Sequence, residues 1–80
     1  MPTIDRWRGY RFYFYSHEPN EPPHVHVDGH GCTAKFWLQP VALASNIGFT
    51  AKELSDLLRQ VRSCADRYIE AWHGHFGTQS

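Results

Sequence analysis

Residues 24–38 read HVHVDGHGCTAKFWL, and this stretch predicts two strands joined by a turn. Apolar and polar residues alternate over 24–28 and again over 32–38, which is typical of β-strands that bury one face. The segment 29–31, Gly-His-Gly, separates the two runs and predicts a turn. Because side chains alternate between the two faces of a strand, the apolar residues of both runs are expected on one buried face.

Two further strands are predicted on either side of this stretch. Residues 9–16, GYRFYFYS, are rich in aromatic residues, which favour strands. Residues 41–44 follow Pro40 and are predicted as a short edge strand, where proline is tolerated. Residues 17–23 contain three prolines and two glutamates and predict an exposed, stiff loop. The side chains expected on the inner face of the sheet are Phe12, Phe14, Val25, Val27, Phe36 and Leu38.

The last third of the chain predicts a helix with a complete start signal. Thr50 and Glu53 fit a capping box, and Phe49 and Leu54 fit the hydrophobic staple that often accompanies it. Gly74 is predicted to end the helix. Apolar residues recur every three or four positions between these ends, and they are Leu54, Leu57, Leu58, Val61, Ala65, Tyr68 and Trp72.

These patterns predict an α+β fold, in which a small antiparallel sheet of three to four strands carries one long C-terminal helix packed on one face. The 80 residues are expected to form a single domain, 1–80, with the sheet over 9–44, the helix over 50–73 and a short tail over 74–80. One helix can cover only one face of such a sheet. The other face is therefore expected to meet solvent or a partner.

The charge balance and the motifs exclude several classes of function. Lys and Arg total 8 and Asp and Glu total 8, whereas a protein that coats nucleic acid carries a clear basic excess, so general nucleic-acid binding is not expected. No apolar run reaches the ~18 residues that span a bilayer, and the N-terminus lacks the apolar region of a signal peptide. We therefore expect a cytoplasmic protein without membrane association, in which Cys32 and Cys64 are free thiols. Phosphate-binding glycine loops and the nucleophile motif of serine hydrolases are absent from the sequence.

The outer face of the sheet is the candidate binding face. It combines aromatic rings, imidazoles and charges, a composition typical of protein interfaces. Three interpretations remain open: an ordinary solvent-exposed face, self-association into a homodimer, or recognition of another protein or protein complex, including one associated with nucleic acid. The predicted binding face comprises Arg11, Tyr13, Tyr15, His24, His26, Asp28, Lys35 and Trp37.

His24 and His26 give a second functional signal. Two positions apart on a strand, their side chains project from the same face ~6–7 Å apart. That separation allows both rings to reach one zinc ion, with Asp28 or His30 completing the site. The same pair would supply an acid and a base for RNA cleavage, because imidazole titrates near neutral pH. An H-x-H pair is a weak motif and no basic phosphate cradle surrounds it, so we expect no catalytic residue and no cofactor, with zinc binding and catalysis as the alternatives.

Four blocks of the chain carry a resemblance to a known family. They are residues 11–16 (RFYFYS), 20–27 (NEPPHVHV), 34–41 (AKFWLQPV) and 70–72 (EAW). These blocks resemble the bacterial family labelled domain of unknown function 4160, and the similarity extends from Pro2 to Gly77. The family has no settled activity, so the resemblance implies a context and not a chemistry: a two-gene module of toxin–antitoxin type, or a mobile element. It also implies a characteristic block made of Glu21, Pro22, Pro23, His24 and His26.

We therefore expect a small non-catalytic protein-binding module that regulates or inhibits a partner complex through its aromatic and histidine face. In the context that the resemblance implies, it would be a toxin–antitoxin component or a mobile-element inhibitor of a host defence complex such as CRISPR. The alternatives are a ribonuclease-type toxin that uses His24 and His26, and a zinc-stabilised structural module.

Overall fold

A computed structural model describes residues 3–15 and 21–76 of the chain, which form one antiparallel sheet and two helices. The five strands lie side by side in the order of the chain, so that each pairs with the next. The elements are β1 (Thr3–Trp7), β2 (Tyr10–Tyr13), β3 (His24–Gly29), β4 (Cys32–Leu38), β5 (Val41–Ile47), α1 (Ala51–Ser63) and α2 (Ala65–Phe76).

Two of the two-residue turns have a geometry that helps to fix the register of the sheet. Arg8 and Gly9 join β1 to β2, and His30 and Gly31 join β3 to β4, with positive φ angles at all four residues. Positive φ at both central residues is the signature of a type I′ turn, whose twist matches the twist of the flanking strands. The turn predicted at 29–31 is therefore confirmed.

The pairing of β3 with β4 confirms the predicted alternation of side chains. Val25 lies opposite Phe36 and Val27 opposite Ala34, so these residues share one face. Every residue predicted for the inner face is at most 2% exposed, and helix residues Leu57, Val61, Tyr68 and Trp72 belong to the same buried core. We call this helix-packed side of the sheet the covered face.

The start of the first helix is also confirmed. The Glu53 N–H donates to the Thr50 hydroxyl oxygen at 3.2 Å, and the Thr50 N–H donates to the Glu53 carboxylate at 2.9 Å, which completes the capping box. Phe49 is buried and Leu54 packs against the same core, as the hydrophobic staple requires.

The α+β class and the antiparallel sheet are confirmed, but the prediction of three to four strands is wrong. β1 was not predicted, and β5 continues to Ile47, so the sheet covers 3–47 instead of 9–44. β1 is held by contacts distant in sequence, because the Asp5 carboxylate accepts hydrogen bonds from the Tyr68 hydroxyl and the Arg67 guanidinium, each at 2.7 Å. The residue pattern of β1 does not indicate these hydrogen bonds, so the strand was not predicted.

The prediction of one helix over 50–73 is also wrong. The helix breaks at Cys64, whose N–H is shared between the carbonyl groups of Gln60 and Val61. The apolar stripe stays in phase across the break, and no proline or glycine lies at it, so no local pattern indicates where the helix breaks. α2 then runs to Phe76, and Gly74 lies inside it instead of ending it. Residues 16–20 and 77–80, which hold parts of the predicted first strand, loop and tail, lie outside the described residues.

Within the part of the chain described, neither helix is long and apolar enough to cross a membrane.

Candidate binding face

The sheet register brings the predicted binding residues together on the face opposite the helices, which we call the open face. Arg11 pairs with Asp28 across β2 and β3. Tyr13 pairs with His26, and His26 with Lys35, in a row across three strands. His24 pairs with Trp37 in the next row. Tyr15, which follows β2, completes the set through its ring contact with His26, with the ring centroids 4.3 Å apart.

The centre of the open face is buried, which corrects the expectation that its rings are exposed. Tyr13 is 2% exposed and His26 8% exposed. The Tyr13 ring stacks on His26 with centroids 5.5 Å apart, and the Arg11 guanidinium lies 4.5 Å from the centre of the Tyr13 ring. Neighbouring side chains on the same face therefore help to cover these rings.

The Tyr13 hydroxyl is fixed by hydrogen bonding. It donates to the Asp28 carboxylate at 2.9 Å. Burial raises the pKa of the Tyr13 phenol, and hydrogen bonding with Tyr15 and Asp28 raises it further. The phenol therefore stays protonated near neutral pH and serves as a hydrogen-bond donor within the face.

His24 is the most enclosed polar residue of the site. It is 0% exposed, and its ring contacts those of His26, Trp37 and Trp72 at centroid distances of 5.1, 5.7 and 4.8 Å. Its Nδ1 lies 2.9 Å from the carbonyl oxygen of Pro22. Since a carbonyl oxygen can only accept a hydrogen bond, Nδ1 carries a hydrogen and donates a hydrogen bond to the Pro22 carbonyl oxygen. The imidazole thus anchors the proline segment to the start of β3.

The residues proposed for a zinc site do not converge. His24 and His26 are adjacent, but Asp28 accepts the Tyr13 hydrogen bond, and His30 lies past the other end of β3 with its ring against Tyr10. Among residues 3–15 and 21–76, no group of three His, Cys, Asp or Glu side chains is placed to hold a metal ion. Cys32 and Cys64 are free thiols.

The charges of the open face lie close to groups that complement them. The Lys35 ammonium contacts the Glu21 carboxylate at 2.5 Å and lies 4.5 Å from the centre of the Trp37 ring. Arg11 lies opposite Asp28 in the register and donates from Nε to the Thr3 hydroxyl at 2.7 Å. The face therefore presents no concentration of unbalanced positive charge.

A groove of about 530 Å³ opens on this face, towards the turn between β3 and β4. It exposes aromatic, carboxylate, hydroxyl and glycine backbone surfaces, and the lining residues are Tyr13, Tyr15, Asp28, Gly29, Gly31, Cys32 and Thr33.

Sequence reasoning missed several contributors to the site, among them Thr33 and Trp72. Thr33 lines the groove, and the alternation over 32–38 already indicated that it points to this face. Trp72 packs on His24, but its place in the apolar helix stripe predicted only a core role.

Comparison with known proteins identifies a matching family. The sequence profile of the family described as "Domain of unknown function (DUF4160)" matches residues 9–73, which include every residue of the predicted binding face. No curated protein and no solved structure matches the chain significantly.

Proposed function

Because the chain belongs to the DUF4160 family, whose description leaves the activity open, we propose that it is a non-catalytic protein-binding module that contacts its partner through the open face. It acts as a regulator or inhibitor of a partner complex, in a toxin–antitoxin module or as a mobile-element inhibitor of a host defence complex such as CRISPR. That biological context rests on the resemblance to the family alone.

One observation carries the proposal: the open face is a pre-formed aromatic surface, to which α2 adds Trp72 against His24, and its groove is lined by sheet residues, by the turn between β3 and β4 and by Tyr15. Tyr13, His26 and Tyr15 are held in place by ring contacts and by the hydrogen bond to Asp28. A surface whose side chains are already ordered loses little conformational freedom on binding. Aromatic residues around a groove are also the residue types that dominate binding energy at protein interfaces.

The charges favour a protein over a nucleic acid as the partner. Nucleic-acid binding is driven by cations that neutralise phosphates. Here Lys35 contacts Glu21, and Arg11 faces Asp28. The net charge of zero for the chain points the same way.

The setting of the histidines favours binding over catalysis. A general acid or base must come within hydrogen-bond reach of its substrate. His24 is fully enclosed and donates to Pro22, while His26 is packed between two tyrosine rings. These contacts support a role in which the histidines shape the surface instead of transferring protons.

A pair of matched substitutions tests the proposal. Thr33→Arg places a long cation in the groove, and Ser55→Arg places the same side chain on an exposed site of α1. The partner is captured from the native host with the wild-type protein, identified, purified and titrated calorimetrically. We expect Thr33→Arg to weaken binding by about tenfold or more and Ser55→Arg to leave it unchanged, since a cation wedged into a groove blocks close packing.

Circular dichroism and urea unfolding serve as the control that both variants keep the fold. Undiminished affinity of a folded Thr33→Arg protein would show that the groove is not the contact surface.

The two alternatives predict other outcomes. A ribonuclease would cleave RNA as the wild type and lose that activity in the His24→Ala, His26→Ala double variant. A zinc module would contain stoichiometric zinc when isolated from cells, and chelation would lower its melting temperature. Either result would replace the binding proposal.

A further inference from the structure

Strand β5 forms an edge of the sheet that carries neither a charged residue nor a proline. It is the last strand of the sheet formed by the described residues, and its seven residues, VALASNI, include no charge and no proline. Leu43 is 43% exposed and Ile47 70% exposed. Soluble proteins usually protect such edges with charges, prolines, β-bulges or covering segments, because the unpaired backbone groups invite another strand.

The opposite edge shows what protection looks like in the same sheet. β1 carries Asp5 and Arg6, and Asp5 is bonded to Arg67 and Tyr68 of α2. The Asp5 carboxylate also accepts a hydrogen bond from the Arg6 N–H at 2.9 Å. One edge of the sheet is therefore charged and tied to a helix, whereas the other is uncharged and exposed.

β5 is also anchored by hydrogen bonds at the end that leads to α1. The Asn46 side chain forms two hydrogen bonds with the backbone of Phe49, each 3.1 Å long. Gly48 has a φ of 98°, and a Cβ atom there would lie 2.8 Å from Cys32 Sγ. An edge held in this way is ordered before any partner arrives, which favours binding.

We propose that β5 binds an extended, uncharged and mainly apolar segment of the partner protein, which adds to the sheet as a sixth strand. Backbone hydrogen bonds supply affinity in this mode, and alternate side chains supply specificity. Ile47 pairs with Thr33, a residue of the groove, so one side chain of the added strand packs on Ile47 beside the groove. This inference rests on the proposed function and names the form of the partner's contact.

The geometry of β5 favours a partner segment over a second copy of this chain. The β4–β5 register shifts between Lys35 and Phe36, which pair with Ser45 and Leu43. Ala44 is therefore the extra residue of a β-bulge, and it lies at the centre of the strand. A two-fold pairing of whole β5 strands would place two bulges against each other, whereas a different strand can pair with the regular residues on either side.

Hydrogen exchange on the complex tests this inference directly. The probe is the captured partner, after its identification and recombinant expression. We expect partner binding to slow amide exchange over 41–47 and to leave 3–7 unchanged, because new backbone hydrogen bonds form only at the β5 edge. Ile47→Lys should weaken binding by about tenfold or more, since an edge lysine disfavours strand addition. The control Ser55→Lys, on the exposed side of α1, should bind as the wild type does.

Three results would overturn the inference. Unchanged exchange at 41–47, together with a loss of binding in Thr33→Arg, would show that the groove binds the partner without strand addition, and the proposed function would stand. Undiminished binding by Ile47→Lys would remove β5 from the interface. A dimer of the wild type in light scattering that Ile47→Lys dissociates would identify a second copy as the occupant of the edge.

Discussion

The two faces of the sheet bury aromatic side chains by different means, and neighbouring residues of β4 show the contrast. Phe36 points to the covered face and is fully buried in an apolar core that includes residues of both helices. Trp37 points to the open face, is only partly buried, and contacts the His24 ring and the Lys35 ammonium. The covered face is therefore packed by a second layer, whereas the open face is packed largely by its own neighbours, to which α2 adds Trp72 against His24.

The two faces are therefore stabilised by different kinds of interaction. Apolar packing on the covered face needs no directional bonds. On the open face, burial of Tyr13 and His24 depends on hydrogen bonds to Asp28 and Pro22, because a buried polar atom without a partner destabilises the fold. Among the described residues, every buried side-chain nitrogen or oxygen has a hydrogen-bond partner.

The largest expected effect lies on the covered face. Phe36→Ala should destabilise the protein by about 3–5 kcal/mol, through lost burial and the cavity left behind. Trp37→Ala should have a smaller effect although it removes a larger side chain, because Trp37 is already partly exposed. Urea unfolding of both variants measures the difference, with Phe36→Leu as a milder variant that stays folded. An equal or larger loss in Trp37→Ala would break the contrast between the faces.

The second prediction concerns the hydrogen-bonded packing of the open face. His24→Phe keeps an aromatic ring but removes the donor to Pro22, and we expect a loss of about 1–3 kcal/mol. The matched control is His73→Ala on the exposed side of α2, where an effect within about 0.5 kcal/mol is expected. Thermal and urea unfolding measure both. If the two histidine variants were equally stable, the enclosed position of His24 would contribute nothing to folding.

A smaller effect is expected at the start of the covering helix. Thr50→Ala removes the hydroxyl that accepts the Glu53 N–H and should lower stability by about 0.5–2 kcal/mol. Thr50→Ser retains an accepting hydroxyl and should restore most of the loss. Urea unfolding of the two variants separates the cap from other roles of the residue, and a Ser variant as unstable as the Ala variant would argue against the cap.

The subtlest test is the titration of the tyrosines. Burial raises the pKa values of Tyr10, Tyr13 and Tyr68 above their ordinary value of 10.0, and the carboxylates near each of them act in the same direction. These are three of the four tyrosines, so fewer than half of the phenols should be ionised at pH 10. Ultraviolet absorbance of the phenolate measures this fraction, and a midpoint at pH 10 would contradict it.

The raised pKa values of these tyrosines also predict the direction in which stability changes with pH. Because the folded state holds these protons more tightly than the unfolded state, their contribution is complete below pH 10 and is lost as the pH rises through the folded pKa values. Urea unfolding should therefore show lower stability at pH 11 than at pH 9. Tyr13→Phe and Tyr68→Phe should each reduce that difference.

The sequence predicted which residues lie on the open face, but not how deeply their side chains are buried. Alternation placed His24, His26 and Trp37 on one face because the two-residue period of a strand is a local property of the chain. The burial of His24 depends on Trp72, a residue 48 positions further along the chain, and on the Pro22 carbonyl. No local pattern encodes a contact of that range.

Local patterns in the sequence specify three features: the alternating strands β3 and β4, the turn at 29–31 and the capping box at Thr50. Tertiary structure decided what depends on distant partners. β1 is held in place by hydrogen bonds from Arg67 and Tyr68 to Asp5, and these two residues lie 62 and 63 positions further along the chain. The helical spacing of the apolar residues continues across Cys64. The break between α1 and α2 is therefore visible only in the folded structure. Local periodicity specifies which way a side chain points, whereas its burial depends on which distant residues fold against it.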